Sequence, residues 1–181
     1  AHVFAQAGYQ VTLIDVNPTQ LEKALSTIAK NIDRQISKGI VTEEDKKATI
    51  NNIDTSTIIA EGVKAADLVV EAATENINLK LDIFKQIDAA APEACILATN
   101  TSSISITKIA SVTKRPSAVI GMHFMNPVPV MKLVEIINGY ATSKEVSTAI
   151  NALSIKLGKT PCTVNDYPGF IANRILMPMI N

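Results

Sequence analysis

The sequence lacks the features that mark several large classes of protein. No apolar run approaches the length of a membrane helix, although 47% of the 181 residues are apolar, so a soluble globular protein of ordinary domain size is predicted. The 17 basic and 17 acidic residues cancel, and no overall charge would attract nucleic acid or a membrane. No stretch resembles a signal peptide, which favours a cytoplasmic location.

Cysteine and histidine are also scarce, with two of each. Cys95 and Cys162 lie far apart without metal-ligand spacing, so we expect buried apolar side chains rather than a disulfide or a redox pair. His2 has the pattern of an ordinary helical residue, and no cluster of residues has the spacing of a metal site. These counts predict a protein without a bound metal or a structural disulfide.

The two ends of the sequence lack the residues that begin and end helices. Residues 1–7 indicate a helix already in progress, closed by Gly8 and preceded by no cap. Residues 170–181 form a helical run without a terminator. We therefore expect a fragment of a longer protein, inactive on its own.

Short apolar strands alternate with longer helical patterns along the chain. The predicted strands are 10–16, 53–56, 68–71, 96–99, 119–124, 133–137 and 160–164. The predicted helices before the last run are 18–38, 43–50, 78–90, 105–111 and 145–157. The apolar face predicted for the helix 78–90 consists of Leu79, Ile83, Phe84 and Ile87. Such alternation implies βαβ units in an α/β fold with a mainly parallel sheet, and this pattern ends near Pro168 and Gly169.

The stretch from Gly121 to Glu135 contains a histidine and a glutamate in two short strands. If these strands pair antiparallel about a turn centred on Pro129, His123 lies opposite Glu135 on the same face of the sheet. A carboxylate in that position would fix the imidazole tautomer and make His123 a better general base. A purely structural ion pair fits the same spacing, and both interpretations remain open on spacing alone.

Asp15 closes the first predicted strand. In dinucleotide-binding folds, an acidic residue about 20 positions past a glycine-rich turn binds the ribose hydroxyls. No such turn is found, since by that spacing it would fall just before residue 1. An aspartate repels a 2′-phosphate, which favours NAD over NADP. The alternative is an exposed aspartate that begins a turn.

Two further polar segments follow predicted strands. Glu75 and Lys80 lie where a strand leads into a helix. The sequence alone favours a helix-dipole carboxylate and a surface lysine paired with it over a role in a site. The run Asn100-Thr101-Ser102-Ser103 offers donors to a substrate oxygen, although such residues are also ordinary in turns and helix caps. No glycine-flanked elbow surrounds Ser102, which argues against a nucleophilic serine.

Five stretches together carry a family resemblance: LIDVN, LVVEAATEN, ATNTSSISIT, GMHFMNPVPVMKLVEII and DYPGFIANRILMPMIN. With them the chain closely resembles the 3-hydroxyacyl-CoA dehydrogenases, especially the bacterial 3-hydroxybutyryl-CoA dehydrogenases, over nearly all of its length. The resemblance implies a Rossmann-like NAD-binding domain over residues 1–167, without its first strand and glycine-rich loop. Residues 168–181 would begin an all-helical C-terminal domain for dimerisation and substrate binding.

The resemblance also implies a role for each of several residues. His123 and Glu135 correspond to the catalytic pair, and Ser102 and Asn173 to the contacts of the reacting substrate oxygen. The positions that correspond to NAD contacts are Asp15 and Gln20 at the adenosine ribose, and Glu75, Lys80, Asn100 and Asn126 at the nicotinamide. Lys38 is a candidate for the phosphates of coenzyme A.

The implied reaction is the reversible oxidation of an (S)-3-hydroxyacyl-CoA to the 3-ketoacyl-CoA by a homo-oligomeric enzyme. Two alternatives stay open. The chain could belong to a multifunctional fatty-acid oxidation protein, or to a non-catalytic crystallin-like relative. The residues do not favour the crystallin-like alternative, because every position with a chemical role in the family holds a suitable side chain.

Overall fold

The computed structural model describes residues 1–180, and the chain divides into two compact units, Ala1–Val63 and Lys64–Asn181. The first unit contains α1 (His2–Gln6), β1 (Val11–Ile14), α2 (Pro18–Ile36), α3 (Glu43–Asn51), β2 (Ile53–Ser56) and α4 (Ile59–Val63). β1 and β2 pair in parallel, with Val11 opposite Ile53. This is the strand–helix–strand arrangement that the alternation predicts.

Helix α2 begins where the sequence places its capping residues. The Asn17 side chain accepts a hydrogen bond of 3.0 Å from the Thr19 N–H, and Pro18 occupies the first helical position, where no N–H partner is needed. The helix ends at Ile36, close to its predicted end. The buried residues of its apolar face are Leu21, Ile28 and Ile32.

The second unit is built on a five-stranded sheet. Its elements are β3 (Leu68–Glu71), α5 (Ile77–Ala90), β4 (Ile96–Thr99), α6 (Ile106–Ala110), a short 3₁₀ helix (Pro116–Ala118), β5 (Val119–Phe124), β6 (Leu133–Asn138), α7 (Lys144–Lys156), β7 (Thr160–Asn165) and α8 (Ala172–Ile180). The strand order is β3-β4-β5-β6-β7, and every pair is parallel except the β5–β6 hairpin. The predicted, mainly parallel sheet is thus confirmed, and the carboxyl ends of β3, β4 and β5 share the edge where ligands of such sheets bind.

The core of this unit lies on the central strands. Its fully buried apolar residues there are Leu97, Ala98, Val119, Ile120, Met122, Val134, Ile136 and Ile137. Their burial on both faces agrees with the nearly continuous apolar sequence of strands in parallel sheets. Within residues 1–180, no helix has both the length and the apolar composition that a bilayer crossing requires.

Helix α5 buries most of the predicted face, but the prediction is wrong at Leu79 and omits Lys80. Leu79, expected in the apolar face, is 45% exposed, whereas Lys80 is 1% exposed. Phe84 and Ile87 are buried as expected. Hydrophobic periodicity fails at Lys80 because it counts every lysine as a surface residue, including one whose charge is paired inside the unit.

Three smaller expectations need correction. Cys95 is buried as predicted, but Cys162 is exposed on β7, and both are free thiols. The short helix α4 was not predicted. The last helix begins at Ala172 rather than 170, because Gly169 and Phe170 have left-handed φ angles of 75° and 50° that end the preceding turn. Its predicted last residue, Asn181, lies outside the described residues.

Candidate active site

The β5–β6 hairpin brings the predicted histidine and glutamate together. His123 lies directly opposite Glu135 in the register, and the His123 Nδ1 atom is 2.8 Å from the Glu135 Oε2 atom. The predicted pairing is therefore confirmed. A carboxylate at Nδ1 favours the tautomer with a proton on that nitrogen, which leaves Nε2 able to accept a proton.

The other oxygen of Glu135 is held by the start of α8. Glu135 Oε1 accepts hydrogen bonds from the main-chain N–H groups of Ile171 (3.0 Å) and Ala172 (2.8 Å). The side chain is 2% exposed, so these donors and the positive end of the helix dipole replace water as partners of the carboxylate. Glu135 is thereby fixed from two sides, by the imidazole and by the helix.

Phe170 completes the surroundings of the histidine. Its ring is buried, with the ring centroid 6.1 Å from that of His123. Phe170 has a φ of 50°, a conformation that L-residues seldom adopt outside special sites. Its burial and ring contact offset the strain of that conformation. His123 thus lies between a carboxylate and an aromatic ring, with 12% of its side chain exposed.

Lys159 fixes the hairpin loop that joins β5 to β6. The Lys159 ammonium donates hydrogen bonds to the carbonyl oxygens of Val128 and Met131, the latter at 2.8 Å. Burial lowers the pKa of Lys159 below its usual value. The same loop contains Asn126. Because Lys159 holds this loop, the predicted nicotinamide contact lies on an anchored segment.

Asn100 links the ends of three neighbouring strands. Its Oδ1 accepts a hydrogen bond of 2.9 Å from the Phe124 N–H, next to His123 in β5. Its own N–H donates to the Glu71 carbonyl at 2.7 Å. The amide side chain is therefore set against β5, at the edge that the sequence predicts for the cofactor.

Lys80 and Glu71 form a buried ion pair, with Nζ and Oε1 2.8 Å apart. The alternative of a surface lysine paired with Glu75 is therefore wrong. Glu71 was missed by the sequence reasoning as a site residue. The signal was available, since a glutamate that ends the otherwise apolar strand LVVE must find a partner once it is buried. That partner lies nine residues later on the inner face of α5.

Glu75 joins the segment after β3 to the segment after β4. Its carboxylate accepts hydrogen bonds from the Thr101 hydroxyl (2.7 Å) and the Ser102 N–H (2.9 Å). Burial raises the pKa of Glu75, but these hydrogen bonds and the charge of Lys80 outweigh it, so the pKa lies below its ordinary value. Glu75 is therefore more than a helix-dipole carboxylate.

Ser102 and Asn173, predicted together at the substrate oxygen, are in contact. The Asn173 Nδ2 group donates a hydrogen bond of 3.0 Å to the Ser102 carbonyl. The Ser102 hydroxyl lies 3.4 Å from a carboxylate oxygen of Glu75. Hydrogen bonds thus connect Glu75, Ser102 and Asn173, and the next residue before Asn173 is Ala172, which binds Glu135.

The remaining predicted contacts lie in the first unit. Asp15 follows β1 and is half-buried, and its Oδ1 accepts a hydrogen bond of 2.8 Å from the Asn17 N–H. This bond begins a turn, as the alternative interpretation of Asp15 expected, and a ribose role stays a prediction. Gln20 and Lys38 are exposed, the first in α2 and the second just after it.

Parallel strands joined by helices, with polar side chains collected at the strand ends, define the Rossmann-like class of dinucleotide-binding folds. The sequence profile of the family described as "3-hydroxyacyl-CoA dehydrogenase, NAD binding domain" matches residues 1–167. The chain therefore belongs to the 3-hydroxyacyl-CoA dehydrogenase family.

Known relatives agree with this assignment. The chain is 51% identical over 181 residues to the probable 3-hydroxybutyryl-CoA dehydrogenase of Bacillus subtilis (strain 168), with 100% of the chain and 63% of that protein covered. It is 40% identical over 186 residues to the mitochondrial hydroxyacyl-coenzyme A dehydrogenase of Sus scrofa, with 99% and 59% covered. The crystal structure of (S)-3-hydroxybutyryl-CoA dehydrogenase from Ralstonia eutropha matches with a TM-score of 0.96 and 50% identity, covering 99% of the chain and 63% of that structure. The chain thus spans less than two thirds of the length of these relatives.

Proposed function

We propose that the enzyme containing this chain catalyses the reversible, NAD-dependent oxidation of (S)-3-hydroxyacyl-CoA, with 3-hydroxybutyryl-CoA as its substrate, to the 3-ketoacyl-CoA. The observation that carries the proposal is the hydrogen bond between His123 and Glu135 at the substrate-facing edge of the sheet. The names of the bacterial relatives support the substrate. The role is fatty-acid or butyrate metabolism in the cytoplasm.

His123 acts as the general base in this proposal. Its Nε2 atom takes the proton of the C3 hydroxyl, and Glu135 stabilises the imidazolium that results. The two main-chain donors on the far oxygen of Glu135 keep that carboxylate in place during the transfer. General base catalysis of this kind contributes about 10²–10⁴-fold in rate.

Ser102 and Asn173 orient the oxygen from which the proton leaves. Each carries a donor group, and the bond from Asn173 to the Ser102 carbonyl keeps the two residues in one cluster. Held in this way, the oxygen presents its proton to His123 while C3 faces the cofactor. Positioning of this kind supplies several further kcal/mol of the rate enhancement, roughly 7–11 in the best oriented systems.

The residues at the strand ends fit a nicotinamide cofactor. Its amide and ribose need polar partners, and the edge of the second unit offers the groups of Glu75, Asn100 and Asn126. Lys80, the fourth position that the resemblance assigns to the nicotinamide, is buried against Glu71 and supports this edge from beneath. When bound, the nicotinamide ring supplies the acceptor for the hydride of C3. Asp15 and Gln20 would hold the adenosine ribose, and the charge of Asp15 favours NAD over NADP. Lys38 is exposed and is proposed for the phosphates of coenzyme A.

Residues 168–181 are proposed to begin the helical domain that follows the NAD-binding domain, residues 1–167. Helix α8 supports this, since its exposed residues include Ile175, Leu176, Met177, Met179 and Ile180. An apolar face of that size is typical of a surface that another element or subunit covers. We also propose a homo-oligomer, as the family resemblance implies.

The proposal is tested by the consumption of NADH with acetoacetyl-CoA. We expect turnover with NADH, at least about tenfold slower turnover with NADPH, and loss of that preference in Asp15→Ala. Absence of turnover in the intact enzyme with either cofactor would refute the proposal and favour a crystallin-like relative. A second activity in the same polypeptide would place the chain in a multifunctional protein, a possibility favoured by its likeness to the dehydrogenase part of multifunctional enzyme 1 from C. elegans (28% identity).

A further inference from the structure

The segment from Asp166 to Phe170 connects β7 to α8, and the proposed chemistry assigns no role to its first residue. Asp166 is half-buried and accepts three hydrogen bonds from one short stretch of chain. Its Oδ2 receives the Ser105 hydroxyl (2.7 Å) and the Thr107 N–H (2.8 Å), and its Oδ1 receives the Ile106 N–H (3.0 Å). These donors are the cap and the first turn of α6, 59–61 residues earlier in the sequence.

Capping of α6 is only part of what these contacts do. Helix α6 has only five residues, and the Ser105 hydroxyl already caps it by accepting the Lys108 N–H at 3.2 Å. Asp166 accepts the N–H groups of Ile106 and Thr107, which have no partner within the helix. What the carboxylate adds is a fixed connection between two segments that are distant in sequence.

Both connected segments lead into the proposed site. Ser105 lies three residues after Ser102, and Asp166 lies seven residues before Asn173. The two segments are joined a second time by the hydrogen bond from Asn173 to the Ser102 carbonyl. A single hydrogen bond would let the two segments rotate about it, whereas two separate contacts fix their mutual orientation.

The chain between Asp166 and Asn173 is a short turn held by its own hydrogen bonds. A displacement of Asp166 would therefore move the residues at the start of α8. The Phe170 N–H donates to the Tyr167 carbonyl (2.9 Å), and the Arg174 N–H donates to the Gly169 carbonyl (3.1 Å). Between these bonds lies Ile171, whose N–H reaches Glu135. A shift of Asp166 is therefore passed to both the substrate-oxygen pair and the catalytic carboxylate.

We propose that Asp166 is a positioning residue: its carboxylate fixes the turn before α8 against α6, so that Asn173 meets Ser102 and the first N–H groups of α8 meet Glu135. This inference rests on the proposed dehydrogenase function. It predicts that loss of the carboxylate lowers turnover through misplacement of the substrate oxygen, while cofactor binding is retained.

The test compares Asp166→Ala with wild type in the intact enzyme. We expect kcat with (S)-3-hydroxybutyryl-CoA to fall by about 100-fold, the affinity for NADH to change by less than about twofold, and the primary deuterium isotope effect at C3 to rise. Asp166→Asn keeps the size and one acceptor and should lose less. Ser143→Ala is the matched control, since it removes the cap of α7 without touching either segment, and its kcat should equal that of wild type.

A double-mutant cycle separates positioning from a general loss of stability. In the Asn173→Ala background, Asp166→Ala should lower kcat by a clearly smaller factor than in wild type, because one of the two contacts through which Asp166 acts is already gone. An equal loss in both backgrounds would overturn the proposal. If Asp166→Ala fails to fold, Ser105→Ala removes one of the three bonds and should lower kcat in the same direction, and an unchanged kcat would count against the proposal.

Hydrogen exchange distinguishes failure of this inference from failure of the proposed function. The amides of Ile171 and Ala172 should exchange faster in Asp166→Ala and Ser105→Ala than in Ser143→Ala, whatever reaction the enzyme catalyses. Unchanged exchange would overturn the positioning role even in an active dehydrogenase. Faster exchange in an enzyme without dehydrogenase activity would refute the proposed function and leave the structural role of Asp166 supported.

Discussion

Lys80 and Glu71 are joined by an ion pair that is almost completely removed from solvent, with side chains 1% and 3% exposed. Lys80 also donates to the Ala73 carbonyl (3.0 Å), and Glu71 accepts from the Ala73 N–H (2.5 Å) and the Thr99 hydroxyl (2.7 Å). Both charges are thus satisfied by protein groups. The pair binds α5 to the carboxyl ends of β3 and β4, beneath the proposed cofactor edge.

Removal of Lys80 should therefore destabilise the fold strongly. Lys80→Met leaves the Glu71 carboxylate buried without a counter-charge, which costs about 3–5 kcal/mol in the free energy of unfolding. The double variant Glu71→Gln with Lys80→Met should recover part of that loss, because the uncompensated charge is gone. Urea denaturation measures both, and equal stability of the single and double variants would contradict the account. Lys85→Met, at an exposed ion pair with Asp82, is the matched control and should change stability by less than about 1 kcal/mol.

The hairpin pair should control turnover rather than cofactor binding. His123→Ala removes the proposed base, and Glu135→Gln replaces an acceptor of three hydrogen bonds with a group that has one oxygen. Each should lower kcat by about 10²–10⁴-fold in the intact enzyme, with NADH affinity, measured by fluorescence titration, nearly unchanged. Glu145→Gln makes the same chemical change at an exposed glutamate and should leave kcat at the wild-type value. Near-normal turnover in both hairpin variants would show that the ion pair is only structural.

The contribution of Glu75 to stability should depend on pH. Its pKa in the folded protein lies below the ordinary value of 4.5, so its hydrogen bonds to Thr101 and Ser102 stabilise the fold above about pH 4.5. That contribution is lost as the pH falls through the lower, folded-state pKa. We expect Glu75→Gln to be less stable than wild type at pH 7, with a difference that shrinks below pH 4.5. Chemical denaturation at a series of pH values gives the difference, and a gap of constant size would exclude this linkage.

Gly169 should tolerate a side chain less well than Gly158, a glycine of the same unit that also has a left-handed backbone conformation. Gly169 has a φ of 75°, and an added Cβ would lie 3.3 Å from the Arg174 nitrogen, whereas Gly158 has a φ of 71° with open space around it. Gly158→Ala therefore incurs only the backbone strain, about 1–2 kcal/mol. Gly169→Ala should reduce the stability of the fold more than this. It should also lower kcat, since the turn at Gly169 positions the main-chain N–H groups that donate to Glu135. Thermal unfolding and steady-state kinetics compare the two, and equal losses in stability would contradict the close contact.

Much of the fold follows from local patterns in the sequence. The strands Ile53–Ser56, Leu68–Glu71, Ile96–Thr99 and Val119–Phe124 were predicted at their observed bounds, because β-branched and apolar runs between turn residues leave few alternatives. The register of His123 and Glu135 follows from their even separation and the position of the turn. The pairing of these two residues could therefore be predicted from the sequence of the hairpin alone.

The rest of the site depends on contacts that sequence spacing does not encode. The sequence alone favours a surface position for Lys80, because its partner, Glu71, belongs to another element, and burial of a charge is set by the partner rather than by the helix. Asp166 receives its donors from residues about 60 positions earlier. The left-handed Phe170 was read as helix, since an aromatic residue gives no local signal for a positive φ.

The hydrogen bonds of Glu135 also have a consequence for the order in which the chain becomes functional. Synthesis proceeds from the amino terminus, so β5 and β6 leave the ribosome before Ile171 and Ala172. A nascent chain that has reached only β6 lacks the two main-chain donors for the Glu135 oxygen that faces away from His123. The hydrogen bonds of the Glu135 carboxylate are therefore completed late in translation, only after residues 171 and 172 have been made.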